Sequence, residues 1–232
     1  MMISQRQEEI LNNIVREYIN SAKPVSSQLL ERKHRFGIKP ATIRIEMQKL
    51  TDQGFLVQPH TSAGRIPTDK GYRFFVDKLV GKEASSCKDA LLNNDQEDSL
   101  GFIQEVTRFL ADNTTSLALG YLSSQKLLLK EGWNDIFQEP EFAETGLASK
   151  FAQMVDDFEK NIEDVFDGMS YLPHVYIGKE NPFSSAKDFS LITVKCRFPK
   201  EEGILTIVGP KRMPYDKNID LINSIIKILE KY

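Results

Sequence analysis

Apolar residues recur at helical spacing from the start of the chain. Ile10, Leu11, Ile14, Val15, Tyr18 and Ile19 follow Ser4 and Gln7, whose separation fits a capping box. The pattern predicts an amphipathic first helix with one buried face. Pro24 closes the connection that follows. A short second helix is predicted from about Ser26 to Arg32, burying Leu29 and Leu30, before Gly37 breaks the chain. Pro40 suits the first turn of a third helix, where its missing N–H would be unpaired anyway. Gly54 supplies the stop after Gln53. At about 100° per residue, Ile43, Met47 and Leu50 share a core face. Ala41, Ile45, Gln48, Lys49 and Asp52 fall opposite, with Arg44 on the flank. Phe55-Leu56-Val57 reads as a strand. Pro59, Gly64 and Pro67 make the stretch from Gln58 to Thr68 a loop, the tip of a wing. From Asp69 a closing helix carries Tyr72, Phe75, Val76 and Leu79 on one side.

The pattern then changes. Residues 81–98 are polar and poor in large apolar groups, so they read as a linker between a domain over 1–80 and another over 99–232. A helix is predicted over 99–113 through Leu100, Ile103, Val106 and Leu110. Thr115–Leu122 and Gln125–Lys130 read as a strand pair joined at Ser123-Ser124. One helix is expected over 147–166, from Phe151, Met154, Val155, Phe158, Ile162, Val165 and Phe166. Strands are expected over 175–177, 191–198 and 204–208. In the second of these Ile192, Val194, Cys196 and Phe198 alternate to one face. A last helix over 217–231 buries Ile219, Ile222, Ile226 and Leu229. Helices interleaved with an antiparallel sheet make the second part α+β.

Charge sharpens this division. The net charge is -3. Residues 1–80 hold 13 Lys and Arg against 8 Asp and Glu, and the rest holds 17 against 25. Arg32, Lys33, His34, Arg35, Lys39, Arg44 and Lys49 cluster, with Glu46 the one acid among them. A basic first segment on an acidic remainder points to a polyanion partner for the first segment. A helix fits a major groove about 12 Å wide, where Gln and Arg can read base edges. Arg44 and Lys49 could equally hold phosphates, which positions without specifying. Ile45 has two readings: contact with a thymine methyl, or an ordinary exposed apolar residue. The candidate DNA contacts are Lys39, Thr42, Arg44, Ile45, Gln48 and Lys49 on the helix, and His60, Thr61, Ser62 and Arg65 on the wing.

Other chemistry is sparse. No uninterrupted apolar run exceeds three residues, against the roughly 20 that a bilayer needs, so no membrane span is expected. The start of the chain lacks the apolar core of a signal peptide. Cys87 and Cys196 lie far apart and suggest neither a disulfide framework nor a zinc site, so a reducing cytoplasm is the expected compartment. Cys196 reads as a small buried apolar residue. No metal cluster, nucleophile motif or cofactor signature is present, so neither a cofactor nor an enzymatic activity is expected. Gly209-Pro210-Lys211-Arg212 is either an anion-binding turn or the end of a strand, and lacks the spacing of a phosphate loop. His174 reads as structural. Trp133 reads equally as a semi-exposed contact point or a core plug.

Four segments carry a resemblance to a known family. Ala41-Thr42-Ile43-Arg44-Ile45-Glu46-Met47 resembles the recognition helix of the heat-inducible transcription repressor HrcA family. The run from Pro59-His60-Thr61-Ser62-Ala63-Gly64-Arg65 through Ile66-Pro67-Thr68-Asp69-Lys70-Gly71-Tyr72-Arg73 resembles its wing and following helix. Tyr176-Ile177-Gly178-Lys179-Glu180-Asn181 and Gly209-Pro210-Lys211-Arg212-Met213-Pro214-Tyr215 resemble paired motifs of its C-terminal domain. The resemblance implies a winged helix-turn-helix domain followed by a truncated GAF-like α+β domain. It implies a homodimer on an inverted-repeat operator upstream of chaperone genes, with a GroE-type chaperonin as regulatory partner. The chain departs from the family in three ways. Ile45 stands where the family usually has Asn, and Pro214 where it usually has Asp. The chain is also shorter by about a third, in the middle, where relatives carry part of the GAF-like domain and an inserted dimerising domain. Two other readings stand beside the repressor: a winged-helix module that holds a protein partner, and a sensor whose GAF-like part binds a small ligand.

Overall fold

The computed structural model describes residues 3–34, 36–79 and 98–230. The linker reading falls on residues outside these, apart from Asp98. The chain divides into two compact units, Met1–Leu79 and Val80–Tyr232.

In the first unit, helix α1 spans Gln5–Ser21. Ser4 Oγ accepts from the Gln7 N–H, and the Gln7 side chain accepts from the Ser4 N–H, which closes the expected capping box. Helix α2 spans Ser27–Lys33, with Ser26 Oγ accepting from the Leu29 N–H. Leu30 is fully buried, while Leu29 is only half-buried. Helix α3 spans Pro40–Asp52, and Gly54 follows it at φ +77°. Strands β1 (Leu56–Val57) and β2 (Ile66–Pro67) pair antiparallel, so the end of the expected loop is the second arm of a hairpin. Helix α4 (Asp69–Val76) is capped by Thr68 Oγ, which accepts from the Gly71 N–H. Ile10, Leu11, Ile14, Val15, Leu30, Ile43, Leu50 and Val76 are wholly buried in the shared core. Three helices and a hairpin thus form a helix-turn-helix with a wing.

The second unit is α+β. Its elements are α5 (Ser99–Asn113), β3 (Leu117–Leu122), β4 (Leu127–Glu131), α6 (Trp133–Ile136), α7 (Leu147–Lys160), α8 (Ile162–Gly168), β5 (His174–Ile177), β6 (Phe189–Arg197), β7 (Glu202–Pro210) and α9 (Tyr215–Leu229). The five strands form one antiparallel sheet in the order β4-β3-β7-β6-β5. Leu117, Leu119, Tyr121, Leu191, Ile204 and Val208 pack with Phe151, Met154, Phe158 and Val165 of α7 and α8. The opposite face meets α5, where Gly120 lies so close to Thr107 that a Cβ would sit 2.2 Å from its hydroxyl.

Three expectations are corrected here. The single helix over 147–166 is two helices. Asn161, at the break, donates from its side chain to the Asp157 carbonyl at 2.7 Å, a local competition that weakens helix continuation. The apolar period runs through the break because Phe158, Ile162 and Val165 all stay buried. Strand β6 buries more than the alternating set, since Leu191 and Thr193 are also covered. The last helix buries Ile225 and Ile228, while Ile226 is half-exposed. Helix α6 and three short 3₁₀ turns, Pro140–Ala143, Gly178–Glu180 and Ser184–Asp188, gave no periodic signal.

Candidate nucleic-acid interface

The outward face of α3 is built by what its inward face buries. Ile43, Met47 and Leu50 lie in the core, so Ala41, Arg44, Ile45, Gln48 and Lys49 must point to solvent. Thr42 is half-buried, and Lys39 is exposed just before the helix. Ile45 is 56% exposed, the only large apolar residue on this face, so it serves no core. The Arg44 guanidinium has no hydrogen bond or ion pair among the described residues and stands free for a ligand.

Glu46 is turned inward. It is buried, accepts from Gln7 Nε2 at 2.9 Å and pairs with Lys49 at 3.0 Å. The acid in the basic cluster is thereby compensated by one amide and one ammonium. Sequence reasoning missed this contact, which spans 39 residues; only its position beside the core face hinted at it. Glu17, also buried, bonds Lys33 at 2.6 Å and the His34 ring at 3.1 Å. Burial alone would raise its carboxyl, but the bonds to Lys33 and His34 outweigh burial and hold it below the ordinary glutamate value.

His60, Thr61 and Ser62 are exposed at the wing tip. Gln58 braces them: its side-chain amide donates to the Thr61 and Ala63 carbonyls at 2.8 and 3.0 Å. Arg65 is not at the tip. It sits on the returning arm, half-buried, and its guanidinium reaches back to Thr51 and Gln48 of α3. A recess of about 350 Å³ lies between the start of α2, Arg44 and the wing, lined in part by Ser26, Gln28, Gln58, Thr61 and Ser62. The structure therefore brings Arg44, Thr61, Ser62 and Arg65 together around the recess, joins Gln48 to them through its bond to Arg65, places Ile45 and Lys49 on the same helix face, and leaves Lys39, Thr42 and His60 outside the recess lining.

In the second unit Cys196 is buried, and burial pushes its thiol up to about 12, so it is protonated at neutral pH. The Arg212 fork is occupied by Glu139 and by Glu141, the latter at 2.6 Å, so that turn offers no free guanidinium to an anion. His174 is exposed and stacks obliquely on Tyr176. Trp133 is half-buried against the aromatic core, in edge contact with Phe151. Among the described residues no group of His, Cys, Asp and Glu could hold a metal ion.

A family model described as "HrcA protein C terminal domain" matches residues 67–219, well over half of the chain. The chain belongs to the HrcA family. A heat-inducible transcription repressor HrcA from Natranaerobius thermophilus is 30% identical across 97% of this chain and 95% of its own length. That alignment runs over 327 positions, more than the 232 residues here, so the relative carries a stretch with no counterpart in this chain. Another, from Streptomyces avermitilis, is 54% identical over 80 residues, which is 34% of this chain and 24% of that HrcA. A crystal structure described as a hypothetical protein superposes with a TM-score of 0.83 at 22% identity, covering 100% of this chain and 98% of that one, and supports the fold. HrcA relatives are named as transcription repressors, so the family is one of regulators and not of enzymes. No helix among the described residues is long and apolar enough to cross a membrane.

Proposed function

We propose that this HrcA protein binds double-stranded DNA through its first unit, laying α3 in the major groove and the wing tip on the adjoining backbone. The observation that carries this is the exposed outward face of α3, with an Arg44 guanidinium that has no partner among the described residues, beside an exposed wing. Ile45 and Gln48 would face base edges, and Lys39, Thr42, Arg44 and Lys49 the backbone. The recess bounded by Arg44, Gln28, Thr61 and Ser62 suits a backbone phosphate, since it offers hydroxyl and amide donors around one free guanidinium. His60 extends the same surface.

One winged helix makes few contacts, so an inverted-repeat operator requires two copies. We assign the chain as a cytoplasmic homodimer that represses chaperone genes, with a GroE-type chaperonin as the partner that keeps it active. The family membership supports this assignment. Replacing Arg44 with Ala should weaken operator binding and reduce the slope of log affinity against log salt by about one, as loss of one phosphate contact requires. Unchanged affinity in a gel-shift titration would refute the docking.

A second reading concerns the second unit. A recess of about 560 Å³ lies against Tyr171, Lys195, Arg197, Ile226 and Leu229. Its size is within the range of small-molecule sites, roughly 300–1,000 Å³. A thermal-shift screen with small organic anions tests it: no shift from any of them ends this reading.

A further inference from the structure

The placement of Arg65 raises a question that a simple wing contact does not answer. Its backbone is pinned on both sides, since the Arg65 N–H donates to the Val25 carbonyl at 2.8 Å and the Val25 N–H donates to the Arg65 carbonyl at 2.9 Å. Gly64 presses against the same backbone, where a Cβ would meet the Val25 oxygen at 2.3 Å. The origin of the Arg65 side chain is therefore fixed relative to the core. From there Nε donates to Thr51 Oγ at 3.1 Å and a terminal nitrogen donates to Gln48 Oε1 at 2.8 Å. Thr51 spends its own hydroxyl proton on the Met47 carbonyl at 2.9 Å, which leaves its lone pairs for Arg65. On the other side, Gln48 Nε2 donates to Asp52 Oδ1 at 2.8 Å.

Gln48 is thus held between a cation and an anion. A half-turn of its amide would set NH₂ against the guanidinium and the oxygen against the carboxylate, so both contacts would become repulsive. Most exposed glutamines have no such preference. The amide has one further N–H and one further lone pair, and those are the groups that pair with an adenine edge. An amide that cannot turn over offers donor and acceptor in one fixed order.

We propose that Arg65 is a positioning residue whose guanidinium fixes the direction of the Gln48 amide, and that this lock sets base preference at one position of the site. The inference rests on the DNA-binding reading above and deepens it. It takes Arg65 out of the set of direct DNA contacts and gives it a role through Gln48. A guanidinium is suited to this because its planar fork holds two acceptors at once, which an ammonium on a flexible stem does not.

The test uses the full chain and selection from a pool of random duplexes, followed by competition titrations. Wild type, Arg65→Met, Arg65→Lys, Gln48→Ala and the double variant Arg65→Met with Gln48→Ala are compared, each checked for a wild-type melting profile. The expected result is that Arg65→Met and Gln48→Ala lose discrimination at the same base pair, roughly tenfold. The double variant should be no worse than either single one. Arg65→Lys should not restore the preference, and the salt slope should stay unchanged in all of them. Direct phosphate contact predicts the reverse: Arg65→Met weakens every duplex alike and lowers the slope by about one, while Arg65→Lys retains binding. That result would overturn the proposal. Without DNA, the Gln48 side-chain NH₂ resonances should move toward solvent-exposed values in Arg65→Met, and no movement would also overturn it. A wild type that selects no duplex defeats the DNA-binding reading itself, a different failure from an Arg65→Met variant that keeps the wild-type preference.

Discussion

At residue scale, Ile45 is where this chain parts from the HrcA pattern on the surface that matters most. An isoleucine offers a base edge only methyl and methylene groups, whereas Asn pairs with adenine through two hydrogen bonds. Replacing Ile45 with Asn should shift the selected base at one position and leave folding intact, because the side chain is exposed and packs against no core. Identical selection profiles for the two proteins would show that Ile45 faces no base. Glu17 makes a second prediction. Its carboxylate is favoured in the folded state by Lys33 and His34, so its folded pKa lies below the ordinary value of 4.5. The stabilisation is therefore complete above that value and is lost as pH falls through the folded one. In Glu17→Gln, hydrogen exchange at the Leu30 amide should be faster at neutral pH and should depend less on pH in the acid range. An unaltered acid limb would contradict the pairing. Contacts of this kind were illegible in the sequence. Glu17 with Lys33, and Gln7 with Glu46, join residues on different helices, and no local pattern marks them.

At the scale of elements, the sequence was informative wherever a backbone requirement falls on a particular residue type. Ser4 with Gln7, Pro40 and Gly54 bound two helices correctly because capping chemistry and a positive φ admit few alternatives. Periodicity misled at Asn161, since buried positions continue in phase on both sides of the break. The wing shows both outcomes. Its turn residues identified a loop, but nothing local revealed that Gly64 and Arg65 bridge back to Val25. That bridge makes Gly64→Ala a sensitive probe. The new methyl would overlap the Val25 carbonyl, backbone on backbone, so the wing arm must shift. We expect a loss of about 1–3 kcal/mol in urea-monitored stability of the first unit, typical of forced overpacking. A wild-type midpoint would mean that the arm yields freely.

For the whole molecule, charge divides the labour between two units. The first carries the excess of Lys and Arg, and the rest of the chain the excess of Asp and Glu, so only the first is suited to a polyanion. The sheet of the second unit was legible as strands, while its order and the half-exposed aromatic cluster over α6 and α7 depend on contacts distant in sequence. Assembly follows from the operator reading. Sedimentation at micromolar concentration should show a dimer, at least on DNA, and a monomer under both conditions would remove the two-fold model. The most direct trial of the central claim is duplex selection from a random pool by the purified chain at low ionic strength. The expected result is an enriched inverted repeat with half-sites separated by about one helical turn or a multiple of it, and affinity for it that falls steeply with salt. Equal retention of the selected and scrambled duplexes would contradict it.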